Sequence, residues 1–196
     1  MSHPGGAASP WLLRWAHLIP AGGRVLDLAA GGGRHSRWLA SHGFTVTAVD
    51  RDAEAMAALE GIAETLVADI EGGPWPLAGR RFDAVLVTNY LWRPLFPAIV
   101  SAVDSGGILL CETFAAGNET VGRPARPDFL LARGELLALA ADLQVVAFED
   151  GFLSDPDRFV QRIAAVRPPA AGPMRLRLET PGHGADSDAG SLESTA

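Results

Sequence analysis

The sequence predicts an α/β domain, a doubly wound and mostly parallel seven-stranded sheet with an antiparallel carboxyl-terminal hairpin. Three observations carry this expectation. Short runs of continuous apolar character alternate with helical patterns from Val25 to Val166, as expected of strands buried on both faces and joined by crossover helices. The first run leads straight into Gly31-Gly32-Gly33 and a helix. After Ala141 the rhythm changes to two strand-like runs with no room for a helix between them.

In chain order, Pro10 to Leu18 reads as a helix with Trp11 and Trp15 on one face, packed on the domain or covering a cleft. Arg24 to Leu28, Thr45 to Val49, Thr65 to Ala68, Asp83 to Thr88 and Ile108 to Cys111 read as strands. Arg34 to Ser41, Asp52 to Glu60, Pro94 to Val103 and Arg133 to Ala141 read as helices. Val145 to Phe148 and Phe159 to Val166 flank a turn-rich stretch with Gly151, Asp155 and Pro156, which makes them a hairpin with an antiparallel strand at the end of the sheet. Right-handed crossovers then bring the carboxyl ends of the parallel strands to one rim, where ligands bind. Residues 1–9 are small and polar and read as a flexible start, residues 10–167 as the domain, and residues 168–196, rich in Pro, Gly, Ser and Ala, as a mostly disordered tail with Met174 to Leu178 transiently ordered.

Composition excludes several chemistries. All 16 basic residues are Arg, so Schiff-base chemistry, pyridoxal-phosphate attachment and a lysine P-loop are ruled out. A net charge of −7 argues against nucleic acid as the main partner. The single cysteine, Cys111, forbids an intrachain disulfide, and no metal site is implied. With no signal-like start and no apolar run of membrane-spanning length, the reading is a cytoplasmic protein with no membrane partner.

The most informative stretch is Arg24-Val-Leu-Asp-Leu-Ala-Ala-Gly-Gly-Gly-Arg-His-Ser. Glycines between a buried strand and a helix let a ligand approach main-chain N–H groups. A dinucleotide fingerprint starting at position 29 needs glycines at 29, 31 and 34, where the chain has Ala29, Gly31 and Arg34. Asp27, expected beside the loop, repels a pyrophosphate and suits a cationic ligand, which favours S-adenosylmethionine with its ammonium and sulfonium. Asp50 closes the next apolar strand, where a carboxylate accepts from both ribose hydroxyls. Asp69, followed by Ile70, closes the third, placed for the exocyclic amine of adenine or, as a bland alternative, for a cap or turn.

From Arg24 to Val166 the chain resembles the class I S-adenosylmethionine-dependent methyltransferases, which have a Rossmann-like fold, and within them the small bacterial proteins of the tellurite-resistance type. The family's acid followed by GxGxG maps onto Asp27, then Ala29, Gly31 and Gly33, with Ala29 departing from the usual first glycine. The acids after the second and third strands map to Asp50 and Asp69. Phe82 to Leu91 resembles the motif that lines the methyl-transfer pocket, Gly106-Gly107 the turn opening the fifth strand, and the last hairpin the family's reversed strand. The resemblance implies that Asp27, Ala29, Gly31, Gly33, Arg34, Asp50, Arg51, Asp69, Ile70 and Asn89 hold S-adenosylmethionine.

Side-chain roles at the transfer site stay open in the sequence. Tyr90, the only tyrosine, is expected to shape the pocket, face the sulfonium with its ring, move a proton, or simply pack. Glu112 reads as a general base or a hydrogen-bonded structural acid. Gly32 reads as a turn residue, Ser36 as a helix cap, and His35 as structural or at the cofactor's edge. The long segment from Ala115 to Arg133 reads as a lid, in which Arg123, Arg126 and Arg133 attract an anionic acceptor or only decorate the surface. The expected function is methyl transfer to a small molecule by in-line displacement. The alternatives are an NAD(P)-dependent oxidoreductase and a non-catalytic domain that binds S-adenosylmethionine and regulates a partner.

Overall fold

The computed structural model describes residues 6–169, Gly172 and residues 174–179. Seven strands, β1 (Arg24–Leu28), β2 (Thr45–Asp50), β3 (Glu64–Val67), β4 (Phe82–Thr88), β5 (Val103–Phe114), β6 (Gln144–Leu153) and β7 (Arg158–Val166), form one sheet in the order β3-β2-β1-β4-β5-β7-β6. The pairs from β3 to β5 are parallel, and β7 runs antiparallel to both its neighbours. This is the Rossmann-like doubly wound sheet with a reversed strand that the sequence predicts.

Side-chain alternation sorts the helices onto two faces. Val25, Val46, Ala84, Leu86, Leu110 and Ala164 point to the side of α1 (Pro10–Trp15) and α2 (Arg34–Ser41). Ala48 meets α3 (Ala53–Ala57) through Met56 on that same side. Leu26, Val85, Val87, Leu109, Cys111 and Ile163 point the other way, against α4 (Phe96–Ala102) and α5 (Glu135–Leu139).

The edges differ from expectation, for reasons of burial. The antiparallel strand does not end the sheet: β7, with Ile163, Ala164 and Ala165 fully buried, inserts between β5 and β6 and leaves the half-exposed β6 at the rim. β3 is the other edge, with Val67 exposed, and is not buried on both faces. β5 is longer than Ile108 to Cys111, because Gly106 at φ +78° lets the strand begin back at Val103 while its N–H reaches Arg167 O at 2.8 Å. α3 and α5 are short. Asp52 accepts from Glu54 N and Ala55 N and so starts α3 at Ala53, and Gly134 at φ +67° opens α5 at Glu135.

Packing extends past both expected domain limits. Ala8 and Ser9 are buried, and the Ser9 hydroxyl accepts from Trp11 N at 3.1 Å to cap α1. Met174 and Leu176 pack against the α1 face. The remainder of the expected flexible start and tail, residues 1–5 and most residues after 169, lies outside the described residues. Among the described residues no helix is long and apolar enough to cross a membrane.

Candidate active site

The carboxyl ends of β1, β2 and β4 border a cavity of ≈760 Å³ lined by Ala29, Gly31, Gly32, Arg34, Asp50 and Arg51, together with His35, Thr88 and Asn89. Its floor is the bend between β1 and α2. Ala29 sits at φ +55°, a left-handed conformation that costs an L-residue about 1–2 kcal/mol. Ala30 N donates to Val49 O at 3.1 Å, Gly31 N to Asp50 Oδ2 at 2.8 Å, and Gly33 N to Ala30 O at 3.0 Å. A bend that has already committed these N–H groups offers little to a pyrophosphate, which needs several of them free.

The glycines divide their work differently from the expectation. Gly31 and Gly32 face the cavity, so Gly32 is more than a turn residue. Gly33 does not line it. At φ +74° Gly33 opens α2, and a β-carbon there would stand 2.6 Å from Leu59 Cδ2. Its smallness serves packing between α2 and the segment after α3.

Asp27 stands away from the place expected for it beside the loop's ligand face. It is the penultimate residue of β1, only 1% exposed, and absent from the cavity wall. Its position in the strand shares Val25's face, toward α2, where Ser36 Oγ donates to Asp27 Oδ2 at 2.6 Å. Ser36 is therefore no helix cap but the partner that seals this acid. Burial pushes the Asp27 carboxyl up to about 6, against the lowering pull of Ser36 and the Arg34 charge. Asp27 braces the bend from behind through Ser36 and does not line the cavity.

Asp50, in contrast, ends β2 on the rim and borders both the main cavity and a smaller adjoining slot. Oδ2 accepts from Gly31 N at 2.8 Å and Oδ1 from Asp52 N at 3.0 Å. A carboxylate has about four acceptor positions, so roughly half remain for a ligand. The slot, ≈160 Å³, continues past Arg51 to Ala68, Asp69, Ile70 and Tyr90. Asp69 makes the turn foreseen as its bland role, Oδ1 accepting from Glu71 N at 3.0 Å and Gly72 N at 3.1 Å, and these bonds hold its carboxyl below the usual range.

Two polar atoms along these walls are buried without a partner: His35 Nε2 and the Tyr90 hydroxyl. Burial, then the Arg34 charge, lowers His35 to about 3, so the imidazole is neutral at pH 7, with Nδ1 3.3 Å from Thr88 Oγ1. Burial, with Glu71 beside it, raises the Tyr90 phenol above its ordinary value. Unpaired buried groups of this kind are costly, and both gain if a polar ligand enters. The donor set and the room together fit an adenosine cofactor, in a volume typical of small-molecule sites.

Asn89, at φ +54° with its N–H donating to Glu112 O at 2.8 Å, stands where the main cavity meets a second one of ≈290 Å³. Tyr90 borders the slot and this second cavity rather than the main one. Glu112 lies elsewhere. It is 2% exposed and faces α1, accepting from Ser9 Oγ at 3.1 Å and pairing with Arg162 at 3.3 Å, whose guanidinium also lies 4.8 Å over Trp11. This excludes the general-base role, and Glu112 is the structural acid of the two readings. The segment from Ala115 to Arg133 reaches the second cavity through Pro124 and Phe129, but Arg123, Arg126 and Arg133 are exposed and do not line it. Trp11 and Trp15 pack on the sheet rather than over the cleft.

Gly6, Asp52, Thr88 and Glu71 border these cavities and were not foreseen. Glu71 alone had a signal, two residues past the Asp69-Ile70 pair. Among the described residues no group of three or more His, Cys, Asp or Glu is placed to hold a metal ion.

Residues 25–107 match the methyltransferase domain family. No curated protein sequence matches the chain. In structure it is similar to TehB from Haemophilus influenzae, at 20% identity and TM-score 0.65, covering 78% of this chain and 59% of that one. It is also similar to a TehB-like SAM-dependent methyltransferase from Corynebacterium glutamicum, at 18% identity and TM-score 0.63 over 83% and 90% of the two chains. A third similar structure is the glycopeptide N-methyltransferase MtfA complexed with S-adenosyl-L-methionine, at 19% identity and TM-score 0.55 over 76% and 89%. The chain thus spans under two thirds of TehB, and at these identities the likeness is one of fold.

Proposed function

We propose that this chain, whose residues 25–107 match the methyltransferase domain family, transfers a methyl group from S-adenosylmethionine to a small-molecule acceptor. The observation that carries this reading is Asp50, an acid on the cavity rim with acceptor positions to spare and a hold on the glycine bend through Gly31 N. When bound, the cofactor supplies a methyl group on a positively charged sulfur.

The chain's own residues bind and align. Asp50 would accept from the ribose hydroxyls with its free lone pairs, and the slot of Ala68, Asp69 and Ile70 would take the adenine, with Asp69 beside its amine. Arg34 and His35, with Gly31 and Gly32, hold the amino acid end. Ala29, Arg51 and Asn89 complete the walls, while Gly33 and Asp27 support the bend from outside them. Asn89 and Tyr90 separate the cofactor's cavity from the acceptor's. In-line displacement disperses the sulfonium charge, so orientation in a partly dry pocket supplies much of the acceleration, roughly 7–11 kcal/mol in favourable cases. A small acceptor cavity and a net charge of −7 support a metabolite over nucleic acid, and the single buried cysteine supports a cytoplasmic location.

The test is methyl transfer from labelled S-adenosylmethionine into a metabolite extract, with S-adenosylhomocysteine binding followed by calorimetry. The reading expects labelled product and its loss in Asp50→Ala. Binding of S-adenosylhomocysteine with no transfer to any metabolite would favour a regulatory domain instead.

A further inference from the structure

The second cavity carries a definite chemistry. Its walls are the ring faces and apolar bodies of Tyr90, Phe114, Phe129, Leu91 and Pro124, with polar atoms supplied by Asn89, Thr113 and Glu71. Glu71 is the only formally charged residue among them. The arginines nearby do not line it, and Arg123 and Arg133 are exposed at the surface. Arg126 pairs with Asp128 at 2.8 Å on the outer side, over the Phe129 ring, and Arg93 grips Glu135 at 2.6 Å and the carbonyls of Asp128 and Leu130. Arg51 borders the slot on the cofactor side but not this cavity.

A carboxylate beside aromatic faces attracts a cation and disfavours an oxyanion. The Tyr90 hydroxyl stands at the boundary of slot and cavity with the Glu71 carboxylate beside it, so the two present one polar edge to a ligand. The volume, ≈290 Å³, equals that of about ten water molecules at roughly 30 Å³ each, enough for one ring with a short chain. Resting on the methyl-transfer reading, we propose that the acceptor is a small apolar amine, held at its ammonium by Glu71 and at its hydrocarbon by Phe114 and Phe129.

The chemistry balances without another reactant. The bound ammonium gives one proton to the Glu71 carboxylate, which is exposed and passes it to water. The freed nitrogen lone pair forms the N–C bond as the C–S bond breaks, the electron pair of that bond staying on sulfur as a neutral thioether. The N-methylated product keeps its positive charge, so one proton is released per turnover.

The experiment compares 2-phenylethylamine with 3-phenylpropanoate, similar in shape and opposite in charge, by calorimetric titration of the protein saturated with S-adenosylhomocysteine. The amine is expected to bind at least about tenfold more tightly, a preference set by one partly solvated charge. Glu71→Gln is expected to bring the two within about threefold, and Phe129→Ala to weaken both alike. Equal or tighter binding of the carboxylate, an unchanged ratio in Glu71→Gln, or no binding of the amine to the saturated protein would each overturn the proposal and leave the methyl-transfer reading intact. Failure to bind S-adenosylhomocysteine in the first place would remove both, which separates the two failures.

Discussion

Asp27 and Asp50 stand near the ends of neighbouring parallel strands, and the residues paired across them are Asp27 with Ala48 and Asp50 with Val67 of the next strand. In sequence they look alike, each an acid closing an apolar run. One step short of its strand's end, Asp27 is inside the α2 face and consumed by Ser36, with its carboxyl raised to about 6. At the last position of β2, Asp50 is half-buried on a cavity and keeps acceptor positions open. The difference of one residue in where the strand stops separates an acid sealed behind the bend from one that faces the cavity. Glu112, two residues before the end of β5 and sealed by Ser9 and Arg162, falls with Asp27.

If sealed acids hold the fold and open acids hold the ligand, substitutions should separate the two effects. The largest should be at Glu112. Glu112→Ala leaves Arg162 with Glu149 alone and breaks a buried pair, lowering stability by about 3–5 kcal/mol in urea unfolding, with little change in S-adenosylhomocysteine affinity of the folded fraction. Asp50→Ala should show the reverse. It removes charge-assisted bonds to a ribose, weakening S-adenosylhomocysteine about a hundredfold, about 3 kcal/mol, while unfolding shifts by only about 1 kcal/mol.

Asp27 should reveal itself through pH. Its folded value of about 6 lies above the unfolded value near 3.9, so the folded protein holds that proton more tightly. The contribution is full below the unfolded value and is lost as pH rises through about 6, a change of about 3 kcal/mol. His35, lowered to about 3, acts oppositely over an overlapping range, so the contrast must be taken as Asp27→Asn against the parent. The stability of Asp27→Asn relative to the parent should rise from pH 4 to pH 7, and parallel curves would show that this carboxyl is not strained by burial. The smallest effect is expected from Ala29→Gly, which relieves the left-handed φ of +55° and stabilises by about 1 kcal/mol in thermal or urea unfolding.

Much of this architecture was legible because glycine punctuation and apolar runs agree there. β1 and α2 fall on Arg24–Leu28 and Arg34–Ser41 as expected, since Gly31 to Gly33 can only be a bend between them. The orientation of Asp27 was not legible. In a strand buried on both faces, Val25 and Leu26 are equally apolar, so no alternation tells which face the acid joins. Its partner Ser36 is set by how α2 docks, and the collision that reserves position 33 for glycine comes from Leu59, far along the chain. Likewise β5 hid its first residues behind Gly106-Gly107, which read as the turn opening the strand yet exchange backbone hydrogen bonds with Arg167. Glu112 was readable as an acid on the functional rim but not as Arg162's partner, because that pairing depends on β7 entering the sheet beside β5.

The proposed function requires this rim to accept the adenosine of a sulfonium donor and to give no grip to a diphosphate. Parallel calorimetric titrations of the full chain with S-adenosylhomocysteine and with NAD test it most directly. Saturable heat with the first and none with the second is the predicted result, and binding of NAD by a protein indifferent to S-adenosylhomocysteine would contradict it.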